Sequence, residues 1–427
     1  MIDCSALIHL QTKAACALGR ILCPRAAASL TPERKGGATR ILVVKADEIG
    51  DFVLATVFLR ELRLLHPRAE IALVVNPATY NLAELCPYVD EVLVYRQGVR
   101  RLLRPFLLPW RAFRMGHALL RQRDFDLAVM PRWDMDGYYA SYIALFSRAK
   151  RRIGYSEQAN ERKKMVNRGF DRLLTEAIFH EAPKHEVERH LDLIRHLGGR
   201  PSSQVLELWL DAADEKYARE ALAGQPGTMP IALCPGAGTP WRRWPIERFI
   251  ELAKRLKRSY GASFVIVGGR EDASLGRAIG EALGGEVLDV TGRTTLRQTA
   301  AILKRCRLYV GNDTGSMHLA AASGVPVVEL SCFPAGGPDW HWNSPLRFGP
   351  WGVAHRILQP DGRSAAEGFA PAIEEITVDR AACAVDDLFR RVDAAAASAP
   401  VREFVRPPSG LSLSRPAGVG GLSGRGI

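Results

Sequence analysis

The chain reads as an α/β protein made of two doubly wound halves. Three observations predict this. Short continuous apolar runs, the mark of strands buried on both faces of a parallel sheet, alternate with segments of helical spacing. The alternation begins at Arg40, pauses near residue 200 and begins again at Ile231. Each series opens on a strand followed by a polar loop, the order of a parallel sheet with crossover helices.

Composition sets the outer limits. The chain has 427 residues, enough for two domains with full cores, and its 47% hydrophobic and 24% charged fractions are those of a globular protein. No run approaches the ~20 apolar residues of a membrane span. The first residues, MIDCSALIHLQTKAACALGRILCP, are mildly amphipathic and lack the basic start and unbroken apolar core of a signal peptide. The eight cysteines are scattered without CxxC or Cys/His metal spacing, so a reducing cytoplasm is the expected location, with no metal or other cofactor. The formal net charge of +12 suits anionic partners such as nucleotides, acidic glycolipids or membrane surfaces. No nucleic-acid module is recognisable, so no nucleic-acid partner is expected.

Taken in order, residues 1–38 form a leader with one helix and a Pro32 to Gly37 linker. Residues 39–198 form the first domain. Ile41–Val44 is its first strand, Phe52–Leu65 a helix, Ile71–Val75 and Val92–Tyr95 the next strands. Arg96–Arg123 then carries eight arginines and no acid, interleaved with Leu, Phe and Trp. This is either a basic amphipathic face for an anionic membrane or a surface helix pair, broken by Pro105 and Pro109, with a solvated basic side. Asp126–Met130 is another strand, and Lys150–Tyr155 is strand-like. The helix at 184–198 links the halves. In the second domain, residues 199–398, strands are expected at Ile231–Cys234, Ser263–Val267, Glu286–Val290, Leu308–Val310 and Val325–Leu330. Helices are expected at 246–259, 273–283 and 295–305, with a final one at 377–396. Residues 399–427 are rich in Pro, Gly, Ser and Arg and read as a disordered tail.

Neither half carries GxGxxG or GxxxxGK[ST], which argues against a dehydrogenase or a P-loop protein. Four loops at strand ends could carry chemistry instead. After the first strand, Gly50 and Asp51 stand at a helix start, where the dipole keeps a carboxylate ionised. Asp51 there can be a general base or an ordinary N-cap. After Cys234, the loop holding Gly236, Thr239 and Arg242 pairs small residues with a guanidinium, a combination suited to phosphate. After the strand at 308–310, Asp313, Thr314 and Gly315 open a short helix whose free N–H groups suit an anion. His318, one turn on, is either a structural residue or a partner for Asp313 or phosphate. Glu271, in the loop after Val267, could hold ribose hydroxyls or simply start a helix. Arg132 to Tyr138, with Asp134 and Asp136, follows another strand end of the first half.

Together the stretches ILVVKADEIGDFVLAT, PRWDMDGYYA with RRIGY, CPGAGTPWRRWPIERF, VIVGGREDA, VTGRTTLRQTAAILKRCRLYVGNDTGSMHLAAASGVPVV and SPLRFGPWG resemble glycosyltransferase family 9, the heptosyltransferases of lipopolysaccharide synthesis. The resemblance runs over roughly residues 40–352. It implies a GT-B fold, with two Rossmann-like domains facing across a cleft, the first for acceptor and the second for the nucleotide sugar. It implies inverting, metal-independent transfer from a nucleotide-diphosphate sugar, typically ADP-heptose, to a lipopolysaccharide core or related anionic glycolipid at the cytoplasmic face of the inner membrane. It places the family's base on Asp51 and its phosphate lysine on Arg242. Its Asp-Thr-Gly falls on Asp313, Thr314 and Gly315, and its His on His318. Thr295 and Leu296 fall where the family contacts adenine. Gly50, Asp134 and Asp136 are assigned to the acceptor side. The stretch SCFPAGGPDWHWNSP departs from the family pattern. Alternatives are a GT-B enzyme using another nucleotide sugar, an epimerase of similar architecture, or a non-catalytic sugar-nucleotide-binding or membrane-scaffold protein.

Overall fold

The computed structural model describes residues 4–22, 39–98, 103–180, 183–224, 229–285, 287–361 and 373–398. The Pro32 to Gly37 linker, Arg100 to Leu102, Glu286 and the 399–427 tail lie outside the described residues.

After helix α1 (Cys4–Leu22), the first half runs β1 (Arg40–Lys45), α2 (Ile49–Leu54), α3 (Thr56–Leu65), β2 (Glu70–Val75), α4 (Tyr80–Ala83), β3 (Glu91–Val94), α5 (Arg104–Arg114), β4 (Leu127–Met130), α6 (Ala140–Phe146), β5 (Arg151–Tyr155), α7 (Glu161–Val166), β6 (Glu176–Ile178) and α8 (Glu186–His196). The second runs α9 (Ala212–Leu222), β7 (Pro230–Cys234), α10 (Ile246–Tyr260), β8 (Ser263–Ile266), α11 (Ala273–Ala282), β9 (Val287–Asp289), α12 (Leu296–Leu303), β10 (Leu308–Asn312), α13 (Gly315–Ala322), β11 (Val327–Leu330), α14 (Pro345–Phe348), β12 (His355–Leu358) and α15 (Val378–Ser398).

Both sheets are parallel and six-stranded, ordered β3-β2-β1-β4-β5-β6 and β12-β11-β10-β7-β8-β9. Read from β9, the second order repeats the first. Each sheet therefore reverses direction once, between β1 and β4 and between β7 and β10. Open α/β sheets bind ligands in the crevice beyond the strand ends at such reversals. This is the GT-B architecture of two Rossmann-like domains.

The strands form because their side chains are apolar on both faces. Ile41 and Val43 pack toward Phe52 and Phe58, while Leu42 and Val44 face Ile143 and Phe146. α15 closes the second half by laying Val385, Leu388 and Phe389 against the core of α10. Two expectations change. The helix expected over 52–65 divides at Ala55, because Thr56 turns its hydroxyl back to the Val53 carbonyl at 2.7 Å. The proline-broken pair in 96–123 is one helix, α5, continuing into a π-helical turn at Met115–Leu120. Pro105 occupies the first turn, where no N–H is needed, and Pro109 removes a single internal bond.

The halves touch where α2 meets α13. A Cβ on Gly50 would collide with the His318 ring, and one on Gly315 would come within 2.8 Å of Ile49. Two glycines thus permit the approach. A buried cation locks the other side of the cleft. Arg347 of α14 donates to Glu186 at 2.6 Å and to Asp134 at 3.3 Å, with its guanidinium over the Trp133 ring. Arg297 makes a third tie, bonding the Asn81 carbonyl at 3.0 Å and Asp214 at 2.8 Å.

Two outcomes follow. Arg347→Ala leaves Glu186 and Asp134 buried without their shared cation and should lower stability by about 3–5 kcal/mol, measured by urea unfolding. An unchanged midpoint would remove Arg347 from the inter-domain lock. Gly50→Ala should cost about 1–3 kcal/mol through its clash with His318. Adding His318→Ala should recover part of that loss, and a strictly additive double variant would show that the clash is not the cause.

Candidate active site

The crevice of the first sheet is built from the loops after β1 and β4. Lys45, at the end of β1, is buried. Its ammonium donates to the Pro131 carbonyl at 3.0 Å and pairs with Asp47 at 2.8 Å. Arg132, just beyond β4, donates to the other Asp47 oxygen at 2.7 Å and stands 3.8 Å from Asp51. Burial alone would raise the Asp47 carboxyl, but Arg132 and Lys45 outweigh it and hold it below its usual value.

Asp51 differs. It lies in the first turn of α2, with its side chain one-fifth exposed to the cleft. Burial pushes its carboxyl up to about 6 against the pull of Arg132 and Lys45, and the charges of Asp47 and Glu186 add to the rise. A carboxylate with that affinity for protons is ionised at neutral pH, yet more basic than a free one. Among the carboxylates of this crevice, Asp51 is the one suited to removing a proton.

The second crevice lies between β7 and β10. Asn312, buried at the end of β10, fastens its two loops together. Its carbonyl oxygen accepts from the Trp244 N–H at 3.0 Å, and its amide donates to the Pro235 and Gly236 carbonyls at 3.0 and 3.1 Å. The Arg242 guanidinium is thereby aimed at Asp313, donating to its carboxylate at 2.5 Å and its carbonyl at 2.7 Å. Thr314 is the N-cap of α13, but its side chain makes no capping bond; the Met317 amide turns back to the Thr314 carbonyl at 3.1 Å, which leaves the Gly315 and Ser316 amides open. Several buried polar atoms here lack a partner: Thr239 Oγ1, Arg242 Nε and His318 Nδ1. Unused donors and acceptors beside a helix N-terminus suit a ligand with many oxygens.

Not every expected residue joins this cleft. His318 packs its ring against Gly50, and burial drives its pKa down to about 4. It is a neutral ring in the inter-domain contact, with its unpartnered Nδ1 left as a hydrogen-bonding atom and not as a phosphate cation. Gly50 is the other face of that contact. Gly236 is required because the Asp272 carboxylate lies where its Cβ would be. Asp134 is committed to Arg347, and Asp136 caps α6 by accepting from the Ala140 and Ser141 amides at 2.9 Å each. Their carboxylates serve the scaffold instead of presenting free acceptor contacts. Glu271 is exposed in the loop beyond β8. The Thr295 hydroxyl accepts from Gln298 N at 3.2 Å in a capping box. With Leu296 it follows β9, three strands from β10, about 14 Å at the usual strand spacing.

Lys45, Asp47, Arg132 and Asn312 were not singled out by their own sequence context. The one available signal for Arg132 was its place directly after β4, at the sheet reversal.

The sequence profile described as Glycosyltransferase family 9 (heptosyltransferase) matches residues 113–358, more than half of the chain. Lipopolysaccharide heptosyltransferase 2 of Escherichia coli K12 is 26% identical over 361 residues, covering 80% of this chain and 96% of that protein. Lipopolysaccharide heptosyltransferase 1 of Pseudomonas aeruginosa is 26% identical over 300 residues, covering 68% and 78%. Among solved structures, a family 9 glycosyl transferase from Veillonella parvula superimposes with a TM-score of 0.66 at 23% identity, covering 83% of this chain and 97% of that one. The E. coli ADP-heptose lps heptosyltransferase II superimposes with a TM-score of 0.62 at 22% identity, covering 83% and 100%. With its two facing Rossmann-like sheets and a profile match that takes in the loops after β4, β7 and β10, this chain belongs to glycosyltransferase family 9 and is a glycosyltransferase.

Proposed function

We propose that the enzyme moves heptose from ADP-heptose onto a hydroxyl of a lipopolysaccharide core or related anionic glycolipid, with inversion and without a metal. The observation that carries this reading is the contact of α2 with α13, which sets the Asp51 loop directly against the Arg242–Asp313–Thr314 turn. The relatives named lipopolysaccharide heptosyltransferase, and the similar E. coli structure named for ADP-heptose, support the choice of donor and acceptor.

The chemistry follows from the groups present. The diphosphate lies on the open amides of α13, with Arg242 beside it. Arg242 keeps its hold on Asp313 through Nη2 and still has Nε to offer. Asp313 accepts from a sugar hydroxyl. Across the contact, Asp51 takes the proton of the acceptor hydroxyl as its oxygen attacks the anomeric carbon opposite the diphosphate. The charge that grows on the leaving phosphate meets a guanidinium and a helix N-terminus already in place. This supplies positive charge from the chain itself.

Asp51→Asn should cut transfer by at least about 100-fold while leaving ADP affinity within about twofold. The wild-type rate should climb with pH through an apparent pKa of about 6, because the base works as the carboxylate and is lost on protonation below that value. Normal turnover in the Asn variant would exclude Asp51 as the base.

The acceptor's lipid end directs attention to α5. Phe106 and Trp110 are more than half exposed, Leu107 lies beside them, and Arg114 and Arg121 are exposed nearby. No helix among the described residues is long and apolar enough to cross a membrane. We read α5 as a face that rests on the anionic inner leaflet at its cytoplasmic side. Trp110→Ala and Arg114→Glu should each weaken co-sedimentation with phosphatidylglycerol vesicles several-fold, and salt should weaken the wild type. Binding indifferent to lipid charge would exclude this reading.

A further inference from the structure

The loop between β11 and α14 builds a feature that the proposed chemistry leaves unused. It is held by internal bonds: the Phe333 amide donates to Ser331 Oγ at 3.3 Å, His341 N to the Pro338 carbonyl at 2.9 Å, and Asn343 N to His341 Nδ1 at 3.1 Å. His341 stacks on Phe333 with ring centres 5.0 Å apart and lies 3.9 Å from the Trp342 ring. The guanidinium of Arg162, from α7 of the other half, covers Trp342 at 4.1 Å. These rings, with Trp241, Trp340 and Asn343, line a cavity of about 560 Å³. That lies within the range of small-molecule clefts, about 300–1,000 Å³. Trp241, Trp340 and Trp342 are each about half exposed, a large apolar area to leave facing water.

What the cavity can hold is limited by its walls and its place. No Lys, Arg, Asp or Glu is among its lining residues, and the guanidinium of Arg162 is engaged on the Trp342 face, so its walls suit an uncharged group better than a phosphate. Of a nucleotide-diphosphate sugar, only the nucleoside and the sugar are uncharged. With the diphosphate at the β7–β10 reversal, loops on both sides of it are available to these two ends. Glu271 and Thr295 follow β8 and β9 on one side, and the aromatic loop follows β11 on the other. Trp241 adjoins the clamp residue Arg242, and Cys332 lies near enough to feel the charges of Arg242 and Asp313. The faces of a sugar ring carry C–H bonds polarised by neighbouring oxygens, and these sit well on the negative faces of aromatic rings. Asn343 supplies a polar edge for a hydroxyl.

We propose that this aromatic cavity seats the transferred sugar of the donor and is where the chain selects it. The proposal rests on the reading of Arg242, Asp313 and Thr314 as the donor diphosphate clamp. It assigns a function to the stretch SCFPAGGPDWHWNSP, which departs from the family pattern.

The test is calorimetric titration of ADP and of ADP-heptose into the full-length wild type, Trp340→Ala, Trp340→Phe and Arg242→Ala. Trp340→Ala should leave the Kd for ADP within about twofold and weaken ADP-heptose tenfold or more, and Trp340→Phe should restore most of the difference. Wild-type and Trp340→Ala proteins with equal ADP-heptose affinity would overturn the proposal. So would equal losses for ADP and ADP-heptose, or a change confined to the KM of the glycolipid acceptor. Arg242→Ala separates the two readings: it should weaken both ligands together, and unchanged affinity for both would unseat the clamp without touching a sugar-only loss at Trp340.

Discussion

The close contact of α2 with α13 is the constraint on which the rest depends. Each helix starts at the reversal point of its own sheet, so each brings the functional end of one half. Only because Gly50 and Gly315 carry no side chain can those ends meet at backbone distance. The His318 ring and Ile49 fill the space that remains. Widening this contact by one methyl group would separate the carboxylate of one half from the anion site of the other.

Electrostatics then divides the labour between two similar crevices. In the first, Lys45 and Arg132 both pair with Asp47, and Asp51 stays basic because burial outweighs the pull those two cations still exert on it. In the second, Arg242 is only partly absorbed by Asp313 and keeps donor capacity for a ligand. Behind them Glu329, buried with one oxygen unpartnered, is pushed well above its usual value by burial and by Asp313. The Arg242 guanidinium opposes that rise. The same fold thus presents a proton acceptor on one side and a positive surface on the other.

Most of the fold was legible in the chain because buried parallel strands write themselves as apolar runs, as in Ile41–Val44 and Ile231–Cys234. The strands that escaped, β6 and β12, lie at sheet edges, are three and four residues long, and mix Glu, His and Arg with apolar residues. The loops bearing Asp51, Arg242 and Asp313 stood out from their place after strands. Their supports did not. Arg132 lies 85 residues from Asp47, and Asn312 lies 77 from Pro235, so neither bond leaves a local pattern. His318 and Asp134 were legible as candidates, but burial and an inter-domain partner decide their parts, and both come from distant segments.

The bonds made by Asn312 have a kinetic consequence. By tying the Pro235–Trp244 segment to the end of β10, they make the two walls of the anion site a single rigid body. Movement of one loop without the other has to break the Asn312 bonds. Under the proposed function, exit calls for parting the two halves against the Arg347 and Arg297 ties, a collective motion of the microsecond-to-millisecond class. Where that opening is slower than bond making, turnover is paced by it, and solvent viscosity becomes a control on rate.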